Sequence, residues 1–136
     1  MEFLENLNGL QSCPPPAAKA EDGLIVYRFT SIFPPRIEDF RSLRYLKPIA
    51  NTGGFFNYPP DECERRSCSV FTNEQVALRL WKPKPGEKTR FSEMSLVRLR
   101  IRESDGVVRK EKRSHCSWWI SRLFNPMNNE CEEVLS

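Results

Sequence analysis

The sequence predicts an α+β fold: a single compact domain with a mostly antiparallel sheet and two short helices. Three observations carry that expectation. Short β-branched and aromatic runs outnumber helical patterns, SLVRLRIRE alternates apolar and charged residues with period two, and TNEQVALRLW opens on a helix-start signal. A chain of 136 residues fits one domain with one modest core.

Residues 1–23 read as an N-terminal arm, flexible or loosely docked, because MEFLENLNGL is followed by three consecutive prolines and a polar tail. The domain proper then spans residues 24–136. Its first strand is LIVYRF, residues 24–29, a β-branched and aromatic run introduced by Gly23 and suited to the centre of a sheet. In FPPRIEDFRSLRYL, Pro34 and Pro35 set a helix start, Glu38 and Asp39 fall in the first turn, and Ile37, Phe40 and Leu43 recur at helical spacing. A short amphipathic helix is expected there. KPIANTGGFFNYPPDECERR carries Gly53, Gly54, three aromatics and a double proline, so it reads as a long ordered loop and the best place for a ligand-facing surface.

CSVF reads as a strand. TNEQ then matches a capping box, with the Thr72 hydroxyl accepting from the Gln75 N–H and the Gln75 side chain reaching back. Val76, Ala77, Leu80 and Trp81 give the helix an apolar face, and Pro83 and Pro85 end it. In SLVRLRIRE, Val97, Leu99 and Ile101 alternate with Arg98, Arg100 and Arg102, as in a half-exposed strand. ESDGVV is expected to fold that strand back as a hairpin, HCSWWI to form a further strand, and CEEVL to form a short edge strand.

Composition limits the function classes. The net charge of +3, from 21 basic and 18 acidic side chains, is too small to demand nucleic acid as a partner, which stays possible but is not favoured. No apolar run approaches the length of a membrane span, and the acidic start lacks a secretory signal pattern, so the expectation is a cytoplasmic protein without membrane attachment. Five cysteines, Cys13, Cys63, Cys68, Cys116 and Cys131, make an odd set that reads as reduced thiols rather than a disulfide framework. Cys63, Cys68, His115 and Cys116 could be drawn as zinc ligands, but their spacing is loose and adjacent His and Cys seldom reach one ion, so no metal site is expected.

Two groups of residues invite a functional reading. Arg98, Arg100, Arg102, Arg109, Lys110, Lys112 and Arg113 would lie along one hairpin as a basic stripe able to grip phosphate, or as a solvated face that Glu103, Asp105 and Glu111 partly neutralise. His115 is the one histidine, so a general base at neutral pH other than a perturbed carboxylate must be this residue.

The ordered segments VYRFTSIFPPRIEDFRS, SCSVFTNEQVA and SHCSWW resemble a group of small bacterial proteins built on a Tyr-Arg strand, a proline-led helix and a serine-bearing strand before a helix. That resemblance implies a recurring compact domain and no activity. A fainter one is to ADP-ribosyltransferases, on Arg28 at the end of the first strand, Ser69 in a later strand and Glu132 within ECE. It implies NAD as cofactor, gripped by Arg28, with Ser69 behind the nicotinamide, Glu132 stabilising a ribosyl cation and His115 as a further catalytic candidate. The leading expectation is instead a non-catalytic binding or accessory domain without a cofactor, whose partner is another protein. Its binding residues would be Tyr27, Arg28, Gly53, Gly54, Arg98, Arg100 and Arg102.

Overall fold

The computed structural model describes residues 1–46, 61–128 and 130–135. In chain order it contains β1 (Leu24–Thr30), a 3-10 turn (Ile37–Phe40), α1 (Leu43–Leu46), α2 (Glu62–Arg65), β2 (Cys68–Phe71) and α3 (Glu74–Trp81). There follow β3 (Ser95–Ile101), a second 3-10 turn (Glu103–Asp105), β4 (Gly106–Lys110), β5 (His115–Ile120) and β6 (Cys131–Glu133). The strands form one six-stranded sheet in the order β4-β5-β2-β1-β3-β6, with every neighbouring pair antiparallel. The fold is thus α+β with an antiparallel sheet, and β1 stands at its centre. No helix among the described residues is long and apolar enough to cross a membrane.

Period-two alternation gives the sheet two apolar faces. On the first, Val26, Val70, Val97, Leu99, Cys116 and Trp118 pack against Phe40 and Phe124. On the second, Tyr27, Phe29 and Leu96 pack beneath Ala77 and Trp81 of α3. Arg98 and Arg100 follow Leu96 onto this second face, where solvent reaches them.

Four local expectations need correction. The proline-led segment is not one helix. Asp39 draws the chain into a 3-10 turn by accepting from the Ser31 and Arg36 N–H groups, and Arg41 leaves it with extended backbone before α1 begins. The cap of α3 is Asn73 rather than Thr72: the Asn73 side chain accepts from Val76 N–H at 3.1 Å, while the Thr72 hydroxyl donates to the Ser114 carbonyl at 3.2 Å. Asn73→Ala should therefore cost about 1 kcal/mol in urea denaturation. An unchanged midpoint for Asn73→Ala alongside a loss for Thr72→Ala would move the cap back to Thr72.

The third correction is topological, because β3 and β4 do not form a hairpin. Asp105 caps Arg102 N–H, and its carbonyl accepts from Trp118 Nε1 and from Ser121 N–H. These bonds carry the chain across the sheet end to the far edge, where β4 pairs with β5 instead. The tight hairpin is β4–β5, closed by Glu111 N–H to His115 O at 2.8 Å.

The fourth correction is covalent. Cys13 and Cys63 form a disulfide, so the thiols are not all reduced; Cys68, Cys116 and Cys131 are free. Fifty residues separate the bonded pair, and only the folded position of the arm beside α2 brings them together. The arm also reaches the sheet directly. Leu4 N–H donates to Ile120 O at 2.8 Å, and Lys19 exchanges two bonds with Val108 at 2.9 and 2.8 Å along the outer side of β4.

Candidate functional site

Antiparallel pairing of β2 and β5 puts Ser69 opposite Ser117, so His115 is its diagonal neighbour on the second face of the sheet. The Ser69 hydroxyl meets His115 Nε2 there, and the Phe71 ring lies edge-on to the imidazole at 6.3 Å. Both members of the pair are half-buried. Burial holds the His115 pKa below its ordinary value near 6.5, with the negative charge of Glu111 pulling the other way. The imidazole is thus neutral at physiological pH and, like the serine, can both donate and accept a hydrogen bond.

A polar row continues from this pair towards β4. Glu111 Oε1 accepts from Arg109 Nε at 2.5 Å and from the fully buried Ser117 hydroxyl at 3.4 Å. Arg109 also reaches Glu64 of α2 at 3.6 Å and stands 5.5 Å from the centre of the Trp119 ring. Burial first, and repulsion from Glu111 second, raise the Glu64 pKa. Sequence marks Glu111 only as a counter-charge to the basic stripe and gives Glu64 and Ser117 no signal, because their meeting depends on the β4–β5 register and on where α2 docks.

The hairpin tip beside this row is strained. Arg113 and Ser114 hold φ of 58° and 62°, the left-handed region that non-glycine residues seldom occupy. Thr72 fixes the tip from outside, donating both its N–H, at 2.8 Å, and its hydroxyl to the Ser114 carbonyl. Lys112 and Arg113 project from the tip, exposed and in no ion pair among the described residues.

The other predicted residues are dispersed. Arg28 points to the first face, away from the side chains of Ser69 and His115. Its guanidinium donates to three main-chain carbonyls: Asp39 at 3.1 Å, Ser69 at 2.7 Å and Arg41 at 3.3 Å. Tyr27 is buried under α3. Arg98 faces Glu132 across the β3–β6 pair at 3.6 Å, and Glu130 takes Arg100 at 3.1 Å and Arg102 at 2.5 Å. The expected continuous stripe is therefore divided. Its β3 half is balanced by the β6 carboxylates, and its Arg109 to Arg113 half stands beyond β1, β2 and β5 at the other side of the sheet. Gly53 and Gly54, with the loop that carries them, lie outside the described residues.

Among the described residues no group of three or more metal-ligating side chains stands together. A shallow depression of about 490 Å³ beyond α3 is lined by Lys82, Lys84, Lys88, Glu87 and Glu93. Its cations are partly engaged: Lys88 pairs with Glu93 at 3.2 Å, and Lys82 lies over the Trp81 ring. In comparisons with known proteins, no family model, no curated protein and no solved structure matches the chain.

The histidine makes a direct test of this geometry. Its folded pKa is lowered, so the unfolded chain binds the proton more tightly. The stability at stake is present above the unfolded value near 6.5 and is lost as pH falls through the lower folded value. NMR titration of the one histidine should give a midpoint below 6.5. A midpoint at or above that value would mean the imidazole is not desolvated against Ser69.

Proposed function

We propose that this chain is a non-catalytic binding domain that takes an acidic segment of a partner protein at the corner formed by the β4–β5 tip, β2 and the start of α3. The observation that carries the reading is the pinned tip: two exposed cations, Lys112 and Arg113, in no ion pair among the described residues, at a turn where Arg113 and Ser114 hold strained backbone next to the half-buried Ser69–His115 pair. Strain of this kind costs about 1–3 kcal/mol per residue and persists where surrounding structure enforces it, as in ligand clamps. An acidic segment suits the cations. The neutral serine and imidazole suit main-chain amides, which also donate and accept.

The transferase reading has less support. It requires Arg28, Ser69 and Glu132 to converge on one NAD molecule, yet Arg28 points to the opposite face from Ser69, and Glu132 pairs with Arg98 on the edge strand. For the compartment, we infer the cytoplasm from the three free thiols, Cys68, Cys116 and Cys131, which suit reducing surroundings. The Cys13–Cys63 bond then belongs with the redox-active disulfides that such surroundings contain.

The test is an NMR titration of the isotopically labelled full chain with a synthetic glutamate-rich peptide, and separately with NAD. Shifts centred on Thr72, Lys112, Arg113 and His115, weakened by salt and lost in a Lys112→Glu/Arg113→Glu variant, are expected with the peptide. No response there, or a response confined to Lys82, Lys84 and Lys88, would overturn the reading. Shifts at Arg28 and Ser69 with NAD alone would favour the transferase.

A further inference from the structure

We propose that the Cys13–Cys63 disulfide is a thiol–disulfide exchange site, opened by a dithiol reductant, whose reduction frees residues 7–18 from the fold and loosens α2. The arm is fixed on both sides of this stretch. Before it, Leu4 bonds to Ile120, Glu5 to Arg41, and the Asn6 carbonyl to Arg66; after it, Lys19 bonds to Val108. Between those anchors no hydrogen bond or ion pair joins residues 7–18 to anything described outside the arm, and the internal bonds, such as Leu10 N–H to Leu7 O, are local. Apart from partial packing, the Cys13–Cys63 bond is what joins this loop to the described fold, and breaking it leaves the anchors in place.

The surroundings direct the exchange outward. Cys13 is partly exposed, whereas Cys63 is only 7% exposed, so approach is from the Cys13 side. The remaining thiols are poor internal competitors. Burial raises the Cys68 pKa, pushes Cys116 up to about 12 and Cys131 up to about 11, which leaves them protonated and weakly nucleophilic.

In the reaction, one thiolate of the dithiol attacks Cys13 Sγ, the Sγ–Sγ bond breaks, and Cys63 leaves as a thiolate that takes a proton from solvent. The second thiol of the reductant then attacks its own sulfur in the mixed disulfide, expels Cys13 and closes a disulfide in the reductant. Two electrons pass to the protein, and both cysteines end as thiols.

The effect on α2 can be read at one atom. Trp119 Nε1 donates to the Cys63 carbonyl at 3.0 Å, whereas Trp118 Nε1 donates to Asp105 O at 3.1 Å and Trp81 Nε1 to Met94 O at 3.0 Å. The three indole N–H signals therefore report on three separate places. A local release moves the Trp119 signal and leaves the other two.

The experiment treats the oxidised full chain with dithiothreitol under native conditions and follows cysteine alkylation, amide hydrogen exchange and the indole N–H resonances. The expected result is two additional alkylatable thiols, exchange at the hydrogen-bonded Asn8, Leu10 and Ala18 amides faster by about tenfold or more, unchanged protection in β1 and β3, and a shift of Trp119 alone. Cys13→Ser should give the same exchange and indole changes without reductant, with one additional alkylatable thiol, Cys63. A bond that resists the dithiol until the protein unfolds, exchange that is unchanged after reduction, or all three indoles moving together would each overturn the proposal and leave the bond a structural staple. None of these readouts depends on the peptide site.

Discussion

Replacing Phe40 by alanine is expected to cost about 3–5 kcal/mol, the range for truncating a fully buried phenylalanine. The ring is 1% exposed and forms one corner of an aromatic triangle. Its centroid is 6.2 Å from that of Trp118 and 5.1 Å from that of Phe124, and those two rings are 4.9 Å apart; all three pairs meet edge to face. Edge-to-face pairs add about 0.5–1.5 kcal/mol beyond the apolar area they bury, so the loss belongs at the upper part of the range. The side chain also fastens the 3-10 turn, whose Asp39 carbonyl and following Arg41 carbonyl receive the Arg28 guanidinium. Phe40→Leu, which keeps most of the volume, should cost clearly less than the alanine variant. Chemical denaturation decides: a midpoint near that of the native chain for Phe40→Ala would mean the turn is not seated on the first face of the sheet.

Phe40 also marks the limit of what the sequence makes legible. Its burial and its packing near β1 follow from apolar spacing and a short connection. Its helix type does not: the chain turns extended at Arg41 after one 3-10 turn, and the Asp39 and Arg41 carbonyls receive the Arg28 guanidinium from β1, a long-range contact that leaves no periodic trace. The same contrast runs through the sheet. LIVYRF and SLVRLRI declare themselves as strands by composition and alternation, and their pairing across the whole of β1 follows from matched apolar faces. The separation of β3 from β4 is decided by three polar bonds at Asp105 and is invisible to periodicity. At the site, Ser69 and His115 were each distinguishable alone, one by its strand-to-helix corner and the other as the one histidine. Their contact spans 46 residues and needs the β2–β5 register. The disulfide is hidden for a related reason: an odd cysteine count carries no pairing, and the partner lies across the arm.

Gly106→Ala is expected to be the second severe change, with a loss of roughly 3–5 kcal/mol from strained backbone and overpacking together. Gly106 opens β4 at a φ of 127°, a conformation L side chains rarely adopt. An added Cβ would lie 2.1 Å from the Trp119 carbonyl oxygen, 2.8 Å from Ser121 N and 3.1 Å from the Ile120 Cα. All three are main-chain atoms of the partner strand and its exit, so no side chain can rotate aside to make room. The β4–β5 ladder would have to open at this end, taking with it the Asp105 carbonyl that receives Trp118 Nε1 and Ser121 N–H. The damage should be graded along the hairpin. Amide exchange should accelerate most at Val107, Val108 and Ile120 and least at the tip, where Thr72 holds Ser114 independently. A native urea midpoint for Gly106→Ala would contradict the close approach of β4 to β5. A loss of stability with exchange rising first at the tip would instead place the weak point of this hairpin at Arg113 and Ser114.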